Sequence, residues 1–319
     1  MSWLSSHPAP AQASVITSLP DQSELAALSF EEWERWFVSA ARAIFGWLPA
    51  DGSAIFYQRD VRRDGRWIDK SQLILQAAQA ESFALIWHKI VCRRAPDTAD
   101  RDARPGYSHL LCLQRTPRAP RKPLPDVLTD AGVTAWSRGM GYAACRLACD
   151  HLRNETATRS IIDPFCGRGS VLAVAAALGF EVLGIELNAR RSRAARSLLA
   201  RTLLTQTVVE RGAQLFDAGE FFAAHEVWEE RWRTSRDARE RLGLQGLIQI
   251  AAAFHKLFVM HSPEAATRLL ARGLDKLERT GWLPGIDVEA VRDATRAYAA
   301  ALAAGSCEAS ALPRLLSAR

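Results

Sequence analysis

The stretch 161–188, IIDPFCGRGSVLAVAAALGFEVLGIELN, constrains the fold more than any other part of the chain. Ile161 and Ile162 are β-branched, strand-favouring residues, and they run into an acid, Asp163. Gly167 and Gly169 permit a tight turn with close backbone approach. Small residues from Ser170 to Leu178 suit a helix laid on a sheet, and a second apolar strand ends at Glu186. Strand, glycine turn, helix and strand form the unit of a doubly wound parallel sheet, whose ligands bind over such turns at the carboxyl ends of the strands. An acid about 20 residues beyond the turn is placed to accept hydrogen bonds from ribose hydroxyls. A glycine turn alone is common in α/β folds. The whole string together with Glu186 is what points to a nucleoside-bearing cofactor.

The flanking sequence extends this alternation. Strands are expected at 14–18, 54–57, 83–91 and 107–113, and helices at 30–45, 71–80, 134–152 and 190–203. The pattern predicts a mainly parallel α/β sheet over residues 1–203. From residue 204 the period changes to 3.6, with a short strand signal only near Thr207, which predicts an all-helical bundle over 204–319 ending in a weakly ordered tail. Two loops stand out. Residues 93–106 are charged and aperiodic, and residues 115–126 hold four basic groups and four prolines. Both read first as solvated loops, and second as an electrostatic guide for a polyanion. The net charge of +6 permits such a partner without requiring one. The six cysteines form no C-x-x-C pair; Cys145 and Cys149 share a helix face as small buried groups. No membrane-spanning run or leader is visible, so a cytoplasmic, reducing setting is the expectation.

D-P-F-C-G-R-G-S followed by G-I-E-L-N resembles the cofactor motif of S-adenosylmethionine-dependent methyltransferases. It looks most like the amino-methyltransferases of nucleic-acid bases, whose motif runs D-P-F-x-G-x-G-T. Their second hallmark, a strand ending in S-P-P-Y, has its counterpart in Ser18-Leu19-Pro20-Asp21. That segment precedes the cofactor motif, which implies a permuted, Rossmann-like sheet. Trp87-His88-Lys89 is similar to the W-x-K strand of the group, and Gly139-Met140-Gly141 leads the helix before the cofactor strand. The resemblance implies S-adenosyl-L-methionine as cofactor, bound by Asp163, Phe165, Gly167, Gly169, Ser170 and Glu186. It implies an acceptor held by Ser18, Pro20 and Asp21.

One departure bears on the acceptor. Leu19 replaces the first proline, and Asp21 stands where an aromatic would stack on an extruded base. Asp21 would either orient or deprotonate an acceptor atom, or cap the helical segment that follows. His88 or Lys89 is expected to face the site. Ser137 and Met140 are candidates for its adenine side, and Asp69-Lys70 for a closing loop.

The helical part resembles a second family. LFDAGEFFAAHEVWEERWR and GLQGLIQIAAAFHK are similar to domain of unknown function 309, which implies a fold but no reaction. His225 and Glu229, four apart, share a helix face, with Gln249 and His255 on a partner helix. A buried polar network setting helix register is the first reading, and a divalent-ion site the second. No metal is assigned.

The expectation is thus a methyltransferase acting on a nitrogen of RNA or DNA, with no membrane association. The alternatives are a protein or small-molecule methyltransferase, or a cofactor-binding module whose helical domain engages a partner protein.

Overall fold

The computed structural model describes residues 2–95, 105–304 and 314–316. Most of the 93–106 loop and of the C-terminal tail, including Cys307, lies outside the described residues. The chain divides into two compact units, residues 1–199 and 200–319.

The first unit begins with α1 (Ser2–Ser6), β1 (Ala13–Thr17), α2 (Phe30–Trp47) and β2 (Ser53–Gln58). A small hairpin follows, β3 (Val61–Arg63) and β4 (Arg66–Ile68), then α3 (Lys70–Ala80), β5 (Ala84–Cys92), β6 (Tyr107–Gln114) and β7 (Val127–Leu128). The unit closes with α4 (Tyr142–Glu155), β8 (Ser160–Asp163), α5 (Ser170–Ala177), β9 (Glu181–Gly184) and the start of α6 (Ala189–Asp217). The seven-stranded sheet has the order β7-β5-β6-β2-β1-β8-β9. Every pairing is parallel except those of β6, which runs against both β2 and β5. The sheet is therefore mainly parallel, as the alternation predicts. Its first strand lies inside the sheet, beside a strand from late in the unit: β1 pairs with β8, Val15 opposite Ile162. This placement brings Ser18 and Asp163 to the same sheet edge.

Local chemistry sets the element ends. Ser29 and Glu32 form a reciprocal capping box that starts α2. Asp69 caps α3, its side chain accepting from Gln72 N at 3.0 Å. The apolar face of α2, with Trp33, Phe37, Ile44 and Phe45, packs on the sheet beside Phe56 and Leu111.

Three expectations need correction. The helix expected at 134–152 begins only at Tyr142, because Gly139 and Gly141 hold the preceding chain in a tight turn; a Cβ at Gly141 would run into the Ala131 carbonyl. The Asp64-Gly65 turn, with φ of +48° and +76°, makes the β3–β4 hairpin that the strand reading omits. The helix expected to stop near 203 continues to Asp217, with Thr207 inside it.

The second unit holds the rest of α6 with α7 (Phe221–Thr234), α8 (Ala238–Phe258), α9 (Pro263–Thr280) and α10 (Val288–Ala303). Its core gathers Phe216, Phe221, Trp228, Leu247, Phe254 and Leu277. Gly246 and Gly273 let α8 and α9 approach closely: a Cβ on Gly273 would lie 3.0 Å from the Gly246 carbonyl oxygen. Glu240, though buried, is satisfied by Arg231 at 2.5 Å, Ser235 at 2.7 Å and Thr205 at 2.8 Å. Part of the tail is anchored, contrary to expectation. Leu315 is buried, and its amide donates to Asp217 at 2.8 Å.

The five described cysteines are free and buried, and burial pushes the thiols of Cys112, Cys145 and Cys149 up, so they behave as small apolar groups. No helix among the described residues is long and apolar enough to cross a membrane.

Candidate functional site

A cavity of about 460 Å³ opens at the carboxyl ends of β1, β8 and β9. Ser18, Leu19 and Pro20 enter it from the end of β1, Asp163 and Phe165 from β8, Gly167 and Ser170 from the glycine turn, and Glu186 from beyond β9. The chain order places the two halves far apart in sequence; the parallel pairing of β1 with β8 brings them together.

Asp163 sits at the floor. Thr17 Oγ1 donates to its Oδ1 at 2.6 Å, and Phe165 N donates to the same atom at 3.1 Å. Burial nonetheless raises its pKa to about 7, and the nearby Glu186 carboxylate pushes in the same direction. The site thus holds a carboxylate short of positive partners. Ser170 opens α5 and is 5% exposed, yet its Oγ has no hydrogen-bond partner. Buried hydroxyls are normally paired, so this orphan at a helix start faces a place where an acceptor belongs. Glu186 Oε1 accepts from Asn188 N at 2.8 Å.

Gly167, at φ +55°, gives Trp136 room: a Cβ there would lie 3.2 Å from the indole. Gly169, at φ +81°, has a different task. It is absent from the cavity wall, and its Cβ would press on Ala195 of α6 at 2.9 Å. The second glycine therefore serves helix packing, and the first the wall of the site.

Asp21 lies in an adjoining recess of about 70 Å³, which shares Ser18, Leu19, Glu24 and Arg138 with the main cavity. Its side chain makes no capping hydrogen bond to the 3₁₀ turn after it. It accepts instead from the ammonium of Lys70, which is 1% exposed. Pro20 is held by Trp33, whose Nε1 donates to the Pro20 carbonyl at 3.1 Å. Lys70, expected in a closing loop, is thus a buried strut under the Ser18–Asp21 turn.

Other expected groups lie elsewhere. Lys89 reaches Asp126 at 2.8 Å, and His88 Nε2 lies 2.8 Å from His109 Nδ1; neither residue lines the cavity. His109 continues to Asp60 Oδ2 at 2.9 Å. Met140 lines the main cavity and Ser137 the recess. Of the basic 115–126 loop, Arg121 is tied to Glu155 at 3.3 Å.

Trp136 and Glu24 carry no motif signal, yet both line the cavity. Arg168 and Arg191 stack on the Trp136 ring at 5.5 and 5.1 Å, and Arg191 also pairs with Glu24 at 2.9 Å. Two guanidinium groups, those of Arg138 and Arg191, thus line the cavity, both beside Glu24. The one available cue for Trp136 is a lone tryptophan among polar residues, shortly before the glycine turn that leads α4.

In the helical unit, His225 Nδ1 lies 3.1 Å from Glu226 Oε1 and 3.9 Å from Glu229 Oε2, and Glu229 also pairs with Arg233 at 3.0 Å. Gln249 accepts from Lys276 at 3.1 Å, and the His255 ring sits 5.5 Å from Phe222. His225, Glu226 and Glu229 thus form a partly exposed polar group on α7, not the buried network expected, while Gln249 and His255 of α8 meet other partners.

Residues 209–269 match the model of the domain of unknown function DUF309. No curated protein matches the chain. Among solved structures, TTHA0409 of Thermus thermophilus, described as a "putative DNA modification methylase", aligns with a TM-score of 0.50 and 21% identity. The alignment covers 63% of this chain and 91% of that one. The same protein complexed with S-adenosyl-L-methionine aligns with a TM-score of 0.49 at 21% identity, over 63% of this chain and 90% of that one. PvuII DNA methyltransferase, cytosine-N4-specific, aligns with a TM-score of 0.49 and 14% identity, over 63% and 88%. The first unit therefore has the fold of the solved TTHA0409 structure, and residues 209–269 of the second resemble the domain of unknown function DUF309.

Proposed function

We propose that the first unit is an S-adenosyl-L-methionine-dependent methyltransferase acting on a nitrogen of a nucleic acid. One observation carries this reading: the Ser18–Pro20 turn and the Asp163–Ser170 loop face each other across one cavity. The residues fit the cofactor. The carboxylate of Asp163 lacks a cation, and an ammonium would supply it. The orphaned Ser170 Oγ, with the amides at the start of α5, suits a carboxylate. Glu186 suits ribose hydroxyls. When bound, this cofactor supplies a methyl group already activated on a sulfonium.

The protein's own work is then alignment and desolvation. Ser18 and the turn carbonyls hold the acceptor at the cavity edge. Asp21, paired with Lys70, is the carboxylate placed to orient the acceptor or receive its proton. Arg138 and Arg191 at the cavity outnumber the Glu24 they share, which favours an anionic substrate, and the structural neighbour described as a DNA modification methylase supports the same substrate class. The test is methyl transfer from labelled cofactor to separated RNA, DNA, protein and metabolite fractions. Label in a nucleic-acid fraction that disappears in Asp21→Asn is the expected result. Cofactor binding without label in any fraction would replace this reading with a cofactor-dependent sensor.

Two outcomes follow for cofactor binding. Ser170→Ala removes a hydroxyl that has no partner in the protein, so the melting temperature should not fall, whereas cofactor affinity should fall roughly tenfold. An equal loss of stability would mean that the hydroxyl serves the fold.

The second outcome concerns pH. Asp163 has a folded pKa of about 7, raised from 3.8. Between these values the folded protein holds a proton that the unfolded chain has released. The contribution of Asp163 to stability therefore falls as pH rises through this window. Cofactor affinity runs the other way. An ammonium requires the carboxylate, so affinity should rise by up to about tenfold per pH unit towards neutrality and then level off. Calorimetric titration across this range should show the rise, and Asp163→Asn should flatten it.

A further inference from the structure

Resting on the methyltransferase reading above, we propose that Gln58 is the residue that reads the acceptor base, donating its side-chain N–H to the ring nitrogen beside the methylated amine. Gln58 ends β2 and is 1% exposed, and its Nε2 has no hydrogen-bond partner. It lines the recess that also holds Ser18 and Asp21. β2 pairs with β1 in parallel, Phe56 opposite Thr17, so the carboxyl end of β2 lies next to the Ser18 turn.

The charged groups around the recess are engaged. Asp21 accepts from Lys70, Arg93 donates to Tyr57 Oη at 2.9 Å, and Arg59 donates to the Pro105 carbonyl at 2.8 Å. The Gln58 amide therefore stands out as a buried donor lining a polar recess without an acceptor of its own. Natural structures avoid this cost unless something else fills the place.

The geometry narrows the substrate chemistry. An exocyclic amine presented to Ser18 must arrive with an acceptor atom at its side, within reach of the Gln58 N–H. Adenine and cytosine present this edge: an amine next to an unprotonated ring nitrogen. On the pairing edge of guanine the nitrogen beside the amine carries a proton, and its unprotonated neighbour, N3, lies on the sugar side of the ring; uracil and thymine carry no amine. The amide also takes over part of the holding role that the missing aromatic would have played, by recognising an edge rather than a face.

The test uses the full chain with labelled S-adenosyl-L-methionine and random-sequence single-stranded DNA and RNA pools, followed by digestion to nucleosides. Label on the exocyclic amine of adenine or cytosine is expected. Gln58→Met, which keeps the shape and removes the donor, should lower kcat/KM roughly 10- to 100-fold with cofactor affinity unchanged. In Gln58→Glu the carboxyl donates only while protonated, so the residual rate should climb as pH falls, which a purely structural role would not produce. Label in nucleic acid with Gln58→Met within about threefold of the parent overturns the assignment of Gln58 and leaves the methyltransferase reading standing. Label on guanine or on a ring carbon overturns it too. Cofactor binding with no label in either pool overturns both.

Discussion

Lys70→Met should destabilise the first unit by about 3 kcal/mol and abolish methyl transfer. The magnitude follows from what Lys70 holds. Its stem and ammonium are buried against Trp33, with the charge 5.7 Å above the indole. Its ammonium meets the Asp21 carboxylate, and its backbone amide donates to Asp60 Oδ1 at 3.0 Å. Removing one partner of a buried ion pair costs about 3–5 kcal/mol, because the remaining charge keeps its desolvation penalty. Asp21 is 16% exposed, which places the expected loss at the low end of that range. Pairing the change with Asp21→Leu should restore most of the stability, since an apolar pair of similar volume is close to neutral in such sites. It should not restore activity, because the carboxylate is gone. Urea unfolding of the single and double variants measures the first part, and the labelled-transfer assay the second. If Lys70→Met cost less than about 1 kcal/mol, the pair would behave as an ordinary solvent-screened bridge, and the Ser18–Asp21 turn would not depend on it.

This strut shows where sequence reasoning reaches its limit. The cofactor loop is local: Asp163, Gly167, Ser170 and Glu186 lie within one short stretch, and their spacing follows from strand rise, turn geometry and helix start. Ser18 and Pro20 could be placed only through resemblance, since nothing local requires the end of β1 to face β8. The roles of Lys70 and Gln58 were not legible. The sequence offers Asp69-Lys70 as a closing loop and gives no sign that the lysine is buried. Their burial arises from three elements, β1, β2 and α3, meeting at one sheet edge. The limits of α6 failed for a different reason. The hydrophobic pattern changes near residue 203, but no proline occurs between 189 and 217, and Gly212 falls late in that run. Backbone propensity therefore carries the helix through a change of packing partner. Gly169 was legible as an obligatory glycine, but its purpose was not: the sequence cannot distinguish closeness to a ligand from closeness to Ala195.

In the helical unit the largest expected effect is that of Trp228→Ala, at about 3–5 kcal/mol of stability. Trp228 belongs to the HEVWEERWR run of the DUF309 match, and it is fully buried. Its ring occupies the space that Gly212 leaves open on α6; any Cβ at position 212 would overlap the indole. Its Nε1 donates to the Val209 carbonyl at 3.3 Å, about one turn before Gly212 on the same helix. Phe216 lies 6.5 Å away, ring to ring. Alanine would leave a cavity with a helix backbone along one wall, which cannot collapse without bending α6. Trp228→Phe should cost less, about 1–3 kcal/mol, as it keeps part of the volume and loses the hydrogen bond. Gly212→Val should approach the alanine variant in severity by the opposite route, forcing the ring out. Chemical denaturation followed by far-ultraviolet circular dichroism would rank the three. If Trp228→Ala were nearly neutral, the core would be able to refill around α6, and the tryptophan would belong with the exposed, ligand-facing part of the motif instead. His225 and Glu229 make the complementary case. His225 lies nearly one turn before Trp228 and Glu229 directly after it, on the partly exposed face of α7, where their pairing with Glu226 and Arg233 is screened by water. His225→Ala should therefore change stability by less than about 1 kcal/mol. The contrast between a costly Trp228 and a nearly free His225 would separate what this motif does for the fold from what it presents to solvent.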